Sequence, residues 1–217
     1  GINFFRSFSD NDRRVIFHQV ATALNHLHSR GVVHGSVTLT NIMLLSEEHF
    51  IKNPDQSNAY SSIPPNLRVK LLDYGKYKYV FSLVTSENSF DPYEPPEATC
   101  GLQIVHDQTA QWDSYALGAC MYMLLTGTNP TLNPDKTRVL FPTNFFKDKK
   151  PDEVRVIMCL MKFNPAERAS MAAVLACKWF SSVDITHTCN TNNNINNDCS
   201  KVDSVFNDKL NIVNNKV

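Results

Sequence analysis

Between positions 111 and 125 the chain reads QWDSYALGACMYMLL, which is apolar on nearly every face of a helix. Such a helix has no side to offer to water. It must stand at the centre of a domain with other elements packed around it. The neighbouring segments supply those elements. Residues 11–30 carry apolar side chains at 15, 16, 20, 23, 24 and 27, the spacing of one helical face. Asp10 or Asn11 can cap its start and Gly31 ends it. Amphipathic segments follow at 151–163 and 170–180, while 32–35 (VVHG), 42–45 (IMLL) and 67–73 (LRVKLLD) read as short β-type runs. No long alternation of apolar strands and helices appears, so a doubly wound parallel sheet is not supported. The expectation is a mainly α domain with short β-hairpins.

The rest of the chain frames that domain. Residues 46–66 are polar and rich in Pro, Asn and Ser, and read as an exposed insert. Residues 76–96 lack periodicity, contain Pro92, Pro95 and Pro96, and read as an extended loop. From 183 to 217 asparagine dominates and aromatics nearly vanish, which predicts a disordered tail that cannot offset its own ordering entropy. The domain is therefore expected over 1–182. A chain of 217 residues can bury about 70% of its unfolded surface.

Charge and cysteine content exclude several functions. Lys+Arg and Asp+Glu both total 21, so no global field draws the chain to nucleic acid or to an anionic membrane. No apolar run approaches the length of a bilayer span, and the first twenty residues hold no signal-type stretch, which predicts a cytoplasmic protein. The six cysteines, at 100, 120, 159, 177, 189 and 199, lack metal-ligand spacing and are expected as reduced thiols that pack as small hydrophobes.

Two short strings carry chemistry: VVHGSVTLTN at 32–41 and LLDYG at 71–75. They resemble the protein-kinase catalytic loop, H-R-D-L-x-x-x-N, and the D-F-G metal loop. His34 and Asn41 match the ends of the first motif, and Asp73, Tyr74 and Gly75 match the second. Further likenesses follow in order. Tyr93–Glu97 (YEPPE) is similar to the Y-x-A-P-E that closes the activation segment, here 73–97. The string from Trp112 to Gly118 is similar to D-x-W-S-x-G, that from Asn164 to Ser170 to D-P-x-x-R-x-T, and CKWF at 177–180 to H-P-W-F. The chain resembles the C-terminal lobe of a eukaryotic protein kinase.

The resemblance assigns roles. It implies that Asp113 is a buried carboxylate accepting backbone N–H groups of the catalytic loop, and that Glu97 and Arg168 form a buried bidentate pair. It implies that His34 packs under Tyr74. It gives Asp73 and Asn41 as hard oxygen ligands for Mg²⁺ and hence for ATP. Ser36 stands where the proton-accepting Asp belongs, Gly35 replaces the Arg, Thr38 replaces a Lys common in the family, and Phe90 replaces a Thr of the activation segment. A serine hydroxyl stays protonated at neutral pH, so the expected function is a pseudokinase that serves as a binding or regulatory platform for other proteins. The alternative is an active or weakly active ATP-dependent serine/threonine kinase. Nucleotide binding without transfer lies between them. The seven glycines form no G-x-G-x-x-G, and no V-A-I-K precedes the first helix, so the expectation is either a fragment or truncated gene product, or a chain that has lost its N-terminal lobe.

Overall fold

The computed structural model describes residues 8–45, 67–74, 91–99, 110–134, 138–142, 146 and 149–181. The expected insert at 46–66 and tail at 183–217, together with Gly75 and Phe90, lie outside these residues.

The all-apolar run becomes helix α3 (Ala110–Thr126), in which every residue from Trp112 to Thr126 is buried. Around it stand α1 (Asp10–His28), α4 (Pro151–Leu160), and the short α5 (Met171–Leu175) and α6 (Lys178–Ser181). A short helix α2 (Pro96–Thr99) begins at the end of the 73–97 segment and precedes α3 in sequence. The core joins Phe17, Val20 and Leu24 of α1 with Leu117, Met121 and Tyr122 of α3, Ile157 and Leu160 of α4, and Phe180 of α6. α3 and α4 approach so closely that a Cβ on Gly118 would lie 2.5 Å from Met161 Cγ and 2.9 Å from Leu160 Cβ. Glycine at this point of α3 is a packing requirement.

The sheet is a two-stranded antiparallel hairpin, β1 (Ile42–Leu45) against β2 (Arg68–Leu71), with Ile42 opposite Leu71. α1 braces it in an uncommon manner. The Gln19 side-chain amide donates to the Leu67 carbonyl at 3.0 Å and accepts from the Val69 N–H at 3.0 Å, standing in for a third strand at the β2 edge.

Four local readings are corrected. The cap of α1 is Ser9, whose hydroxyl accepts from Asp12 N–H while the Asp12 carboxylate accepts from Ser9 N–H, a reciprocal capping box. Residues 32–35 form no strand: their N–H groups go elsewhere, Val32 to the Leu27 carbonyl and His34 and Gly35 to the Asp113 carboxylate. The segment 170–180 is two helices, because the Ala176 N–H closes the last turn of α5 on the Ala172 and Val174 carbonyls. The aperiodic stretch to 96 yields to α2 at Pro96. Among the described residues, Cys120, Cys159 and Cys177 are free thiols.

Candidate active-site loop and its neighbours

The loop 34–41 hangs on one buried carboxylate. Asp113, 1% exposed at the start of α3, accepts from the N–H of His34 (Oδ2, 2.8 Å) and of Gly35 (Oδ1, 2.8 Å). His28 Nε2, at the end of α1, lies 2.8 Å from Oδ2 as a third partner. A buried carboxylate is tolerable only when its lone pairs are used, and here three groups from the loop and α1 use them. Gly35 takes φ +71°, a left-handed conformation that a side chain would strain.

The loop then closes on itself. Asn41 Nδ2 donates to the Ser36 carbonyl at 2.8 Å and lies 3.0 Å from Ser36 Oγ. The carbonyl can only accept, so the amide orientation is fixed by chemistry, with Nδ2 toward Ser36 and Oδ1 turned away. The Asn41 N–H bonds the Thr38 carbonyl, ending a 3-10 turn at Leu39–Asn41. The Asn41 carbonyl accepts from Leu72 N–H at 2.8 Å and extends the β1–β2 ladder by one rung. That rung sets Asn41 beside the residue preceding Asp73. Asp73 has φ 63°, and among the described residues it alone, apart from glycines, holds a positive φ. Aspartate tolerates this region better than most side chains.

His34 is 1% exposed, and its Nδ1 accepts from Ser36 N–H at 3.2 Å, which places the ring proton on Nε2. Nε2 is buried without a hydrogen bond of good geometry, although the Leu72 backbone lies close enough to favour its proton. Burial dominates and pushes the His34 pKa down, against the pull of the Asp113 charge. Burial thus favours the neutral form of the His34 ring. The expected cover by Tyr74 is not found: that side chain is 71% exposed, because the left-handed turn at Asp73 carries the chain outward.

Glu97 and Arg168 meet as a buried fork, Nη1 to Oε1 and Nη2 to Oε2, each 2.5 Å. Arg168 spends its remaining donors on the carbonyls of Lys162 (2.7 Å), Phe163 (3.1 Å) and Gln111 (3.2 Å), and lies over the Tyr115 ring at 5.1 Å. All five N–H groups are satisfied. Tyr93, four residues before Glu97, accepts the Leu39 N–H on its hydroxyl at 3.3 Å and so ties the activation segment to the loop. Burial raises its pKa to about 12, which keeps the phenol neutral.

Sequence reading missed three contacts. Arg13 and the fully buried Glu153 form a second bidentate pair (2.7 and 2.8 Å) across 140 positions. His28 and Gln19, already described, are the others. None of these three has a local sequence signal; the missed cap of α1 did, since the Ser9–Asp12 spacing is a capping pattern. Among the described residues no cluster of three or more His, Cys, Asp or Glu side chains is arranged to hold a metal. Asn41 and Asp73 offer two oxygen ligands, which fits Mg²⁺ only where phosphates and water complete the shell. No helix among the described residues is long and apolar enough to cross a membrane.

A helical lobe whose catalytic-type loop hangs on an α3 carboxylate, locked below by a Glu–Arg fork, defines a kinase-type C-terminal lobe. The family model described as protein kinase domain matches residues 2–180, and the chain belongs to that family. Serine/threonine-protein kinase 33 of Mus musculus is 26% identical over 202 residues, covering 85% of this chain and 38% of that protein. Serine/threonine-protein kinase PLK4 of Xenopus tropicalis is 26% identical over 175 residues, covering 78% and 16% respectively. The chain thus spans well under half the length of these curated relatives. Among solved structures, the Rad53 kinase domain and SCD2 in complex with AMPPNP superposes with a TM-score of 0.56 at 20% identity, covering 84% of this chain and 64% of that one. This last likeness concerns the fold.

Proposed function

We propose that the chain is the C-terminal lobe of a catalytically impaired protein kinase, extending over residues 1–182, that binds other proteins as a regulatory platform. The observation that carries this reading is Ser36. It sits at the loop position where a kinase keeps the carboxylate that orients the substrate hydroxyl and takes its proton. Here the position holds a hydroxyl already bonded by Asn41 at 3.0 Å. Losing general-base help of 10²–10⁴-fold raises the barrier by about 3–5 kcal/mol. Thr38, whose hydroxyl pairs with that of Thr40 at 2.8 Å, brings no charge to the transferred phosphate either. Meanwhile Asp113, Glu97 and Arg168, which serve only the fold, are intact in residue and in geometry.

Asn41 and Asp73 support a second reading, nucleotide binding with little or no transfer. They would hold Mg²⁺ against the nucleotide phosphates, and the ion would neutralise phosphate charge. The test is phosphoryl transfer from Mg·ATP to a protein substrate by the intact protein and by its Ser36→Asp variant. A gain of roughly 10² or more in the variant supports the impaired-kinase reading. Equal and ordinary rates in both forms refute it.

A further inference from the structure

We infer that Gln19 is a positioning residue for Asp73: it clamps the outer edge of β2 to α1 and so keeps the strand that leads into Asp73 paired with Asn41. This rests on the reading of Asn41 and Asp73 as the pair that would hold Mg²⁺ against nucleotide phosphates. It names a residue outside that pair on which the pair's geometry depends.

Little else holds β2. Among the described residues its one strand neighbour is β1, and a hairpin of two strands is marginal in water by itself. Residues 46–67 join the two strands, a connection too long to be one of the tight turns that pin a hairpin's ends together. Past β2, the bond from Leu72 N–H to the Asn41 carbonyl, at 2.8 Å, carries the pairing to the residue before Asp73. Asp73 is exposed and holds φ 63°, a sparsely populated conformation that persists only where the chain around it is held.

Gln19 supplies that hold from the edge of β2 that faces α1. The Leu67 carbonyl can only accept and the Val69 N–H can only donate. The amide is therefore fixed with Nε2 on the first and Oε1 on the second, both at 3.0 Å. Two bonds from one side chain, to positions two apart, fix the direction of the strand as well as its distance from α1. Gln19 is half-buried, and Ile16 and Val20 on the same helix are core residues, so the clamp stands on a packed part of α1. That helix also frames the other half of the site. At its end, His28 Nε2 lies 2.8 Å from Asp113 Oδ2, and Asp113 holds the N–H groups of His34 and Gly35. One helix thus braces both the loop that ends in Asn41 and the strand that leads to Asp73, and Gln19 is its polar tie to the second.

The test is residue-by-residue hydrogen exchange, read by NMR, in the intact protein and its Gln19→Leu and Gln19→Glu variants. AMP-PNP affinity is measured by calorimetry beside it, with and without Mg²⁺. Leucine keeps neither bond of the clamp; a carboxylate keeps the one from Val69 but has no proton for the Leu67 carbonyl. Exchange at Leu72 N–H should rise roughly tenfold in Gln19→Leu and by a smaller factor in Gln19→Glu. The N–H groups of His34 and Gly35, held by Asp113, should keep their protection. Affinity for AMP-PNP should fall roughly tenfold in Gln19→Leu with Mg²⁺ present and stay unchanged without it. Unaltered exchange at Leu72 overturns the inference. Equal acceleration at Leu72, His34 and Gly35 does so too, because it marks a general loss of stability. Faster exchange at Leu72 with the Mg²⁺-dependent affinity intact overturns the positioning role. A native protein that binds no Mg·AMP-PNP sinks the nucleotide reading instead, and exchange at Leu72 then still decides whether Gln19 holds the strand.

Discussion

Replacing Glu97 by alanine removes one half of the buried fork and leaves the Arg168 guanidinium in place. In the native protein that group makes five hydrogen bonds, two to Glu97 and three to the carbonyls of Lys162, Phe163 and Gln111. After the change it keeps the three carbonyls and the Tyr115 ring but carries an uncompensated charge, with both side chains of the original pair almost wholly shielded from water. Breaking a buried pair in this way costs about 3–5 kcal/mol. Total stabilities of about 5–15 kcal/mol make that about a fifth or more of the whole. Urea unfolding followed by circular dichroism should show the midpoint falling by about 1–5 M, given slopes of about 1–3 kcal/mol per M. The double variant Glu97→Leu with Arg168→Met removes both charges and should recover much of the loss. A Glu97→Ala cost below about 1 kcal/mol, or a double variant worse than the single one, would refute the reasoning.

Three further outcomes follow from the same geometry. Asp113→Ala leaves the N–H groups of His34 and Gly35 and the His28 ring without their acceptor, at about 1–3 kcal/mol for each buried group, and hydrogen exchange should show the loop 34–41 opening first. Gly118→Ala forces a methyl into contact with Leu160 and Met161 and should cost about 1–3 kcal/mol by overpacking, read as a lower melting temperature. Burial lowers the pKa of both His18 and His34 in the folded state, so the unfolded chain binds more protons as pH falls. Their stability contribution is complete above the unfolded pKa, about 6.5, and is lost below it. Urea midpoints should therefore decline from about pH 6.5 downward, and His18→Phe, beside the Phe180 ring, should flatten part of that slope.

What the sequence made legible was whatever a single segment declares by itself. The all-apolar run of α3 needed only its own composition to announce a central helix, and the strings at 32–41 and 71–75 needed only their spacing. The resemblance then pointed to Asp113, Glu97 and Arg168, and the structure brings Glu97 and Arg168 together across 71 positions. Arg13 with Glu153 escaped notice because each residue sits in an ordinary amphipathic helix, where charge usually means a solvated face. Gln19 was equally silent, since pairing a side-chain amide with a strand edge depends on how α1 lies against β2. The strand expected at 32–35 failed for a related reason. Its β-type residues are real, but the N–H groups of His34 and Gly35 are claimed by a carboxylate that comes 78 positions or more later, and that of Val32 by the Leu27 carbonyl. Tyr74 shows the converse: a family motif placed it over His34, and the backbone at Asp73 turned it to solvent.

The central claim is that this loop no longer carries phosphoryl transfer, and the direct measurement is transfer from labelled Mg·ATP by the intact protein beside its Asp73→Ala variant. Without a base at position 36, both forms should give the same background rate. Transfer by the native protein that Asp73→Ala abolishes would contradict the account and place Ser36 in a working kinase.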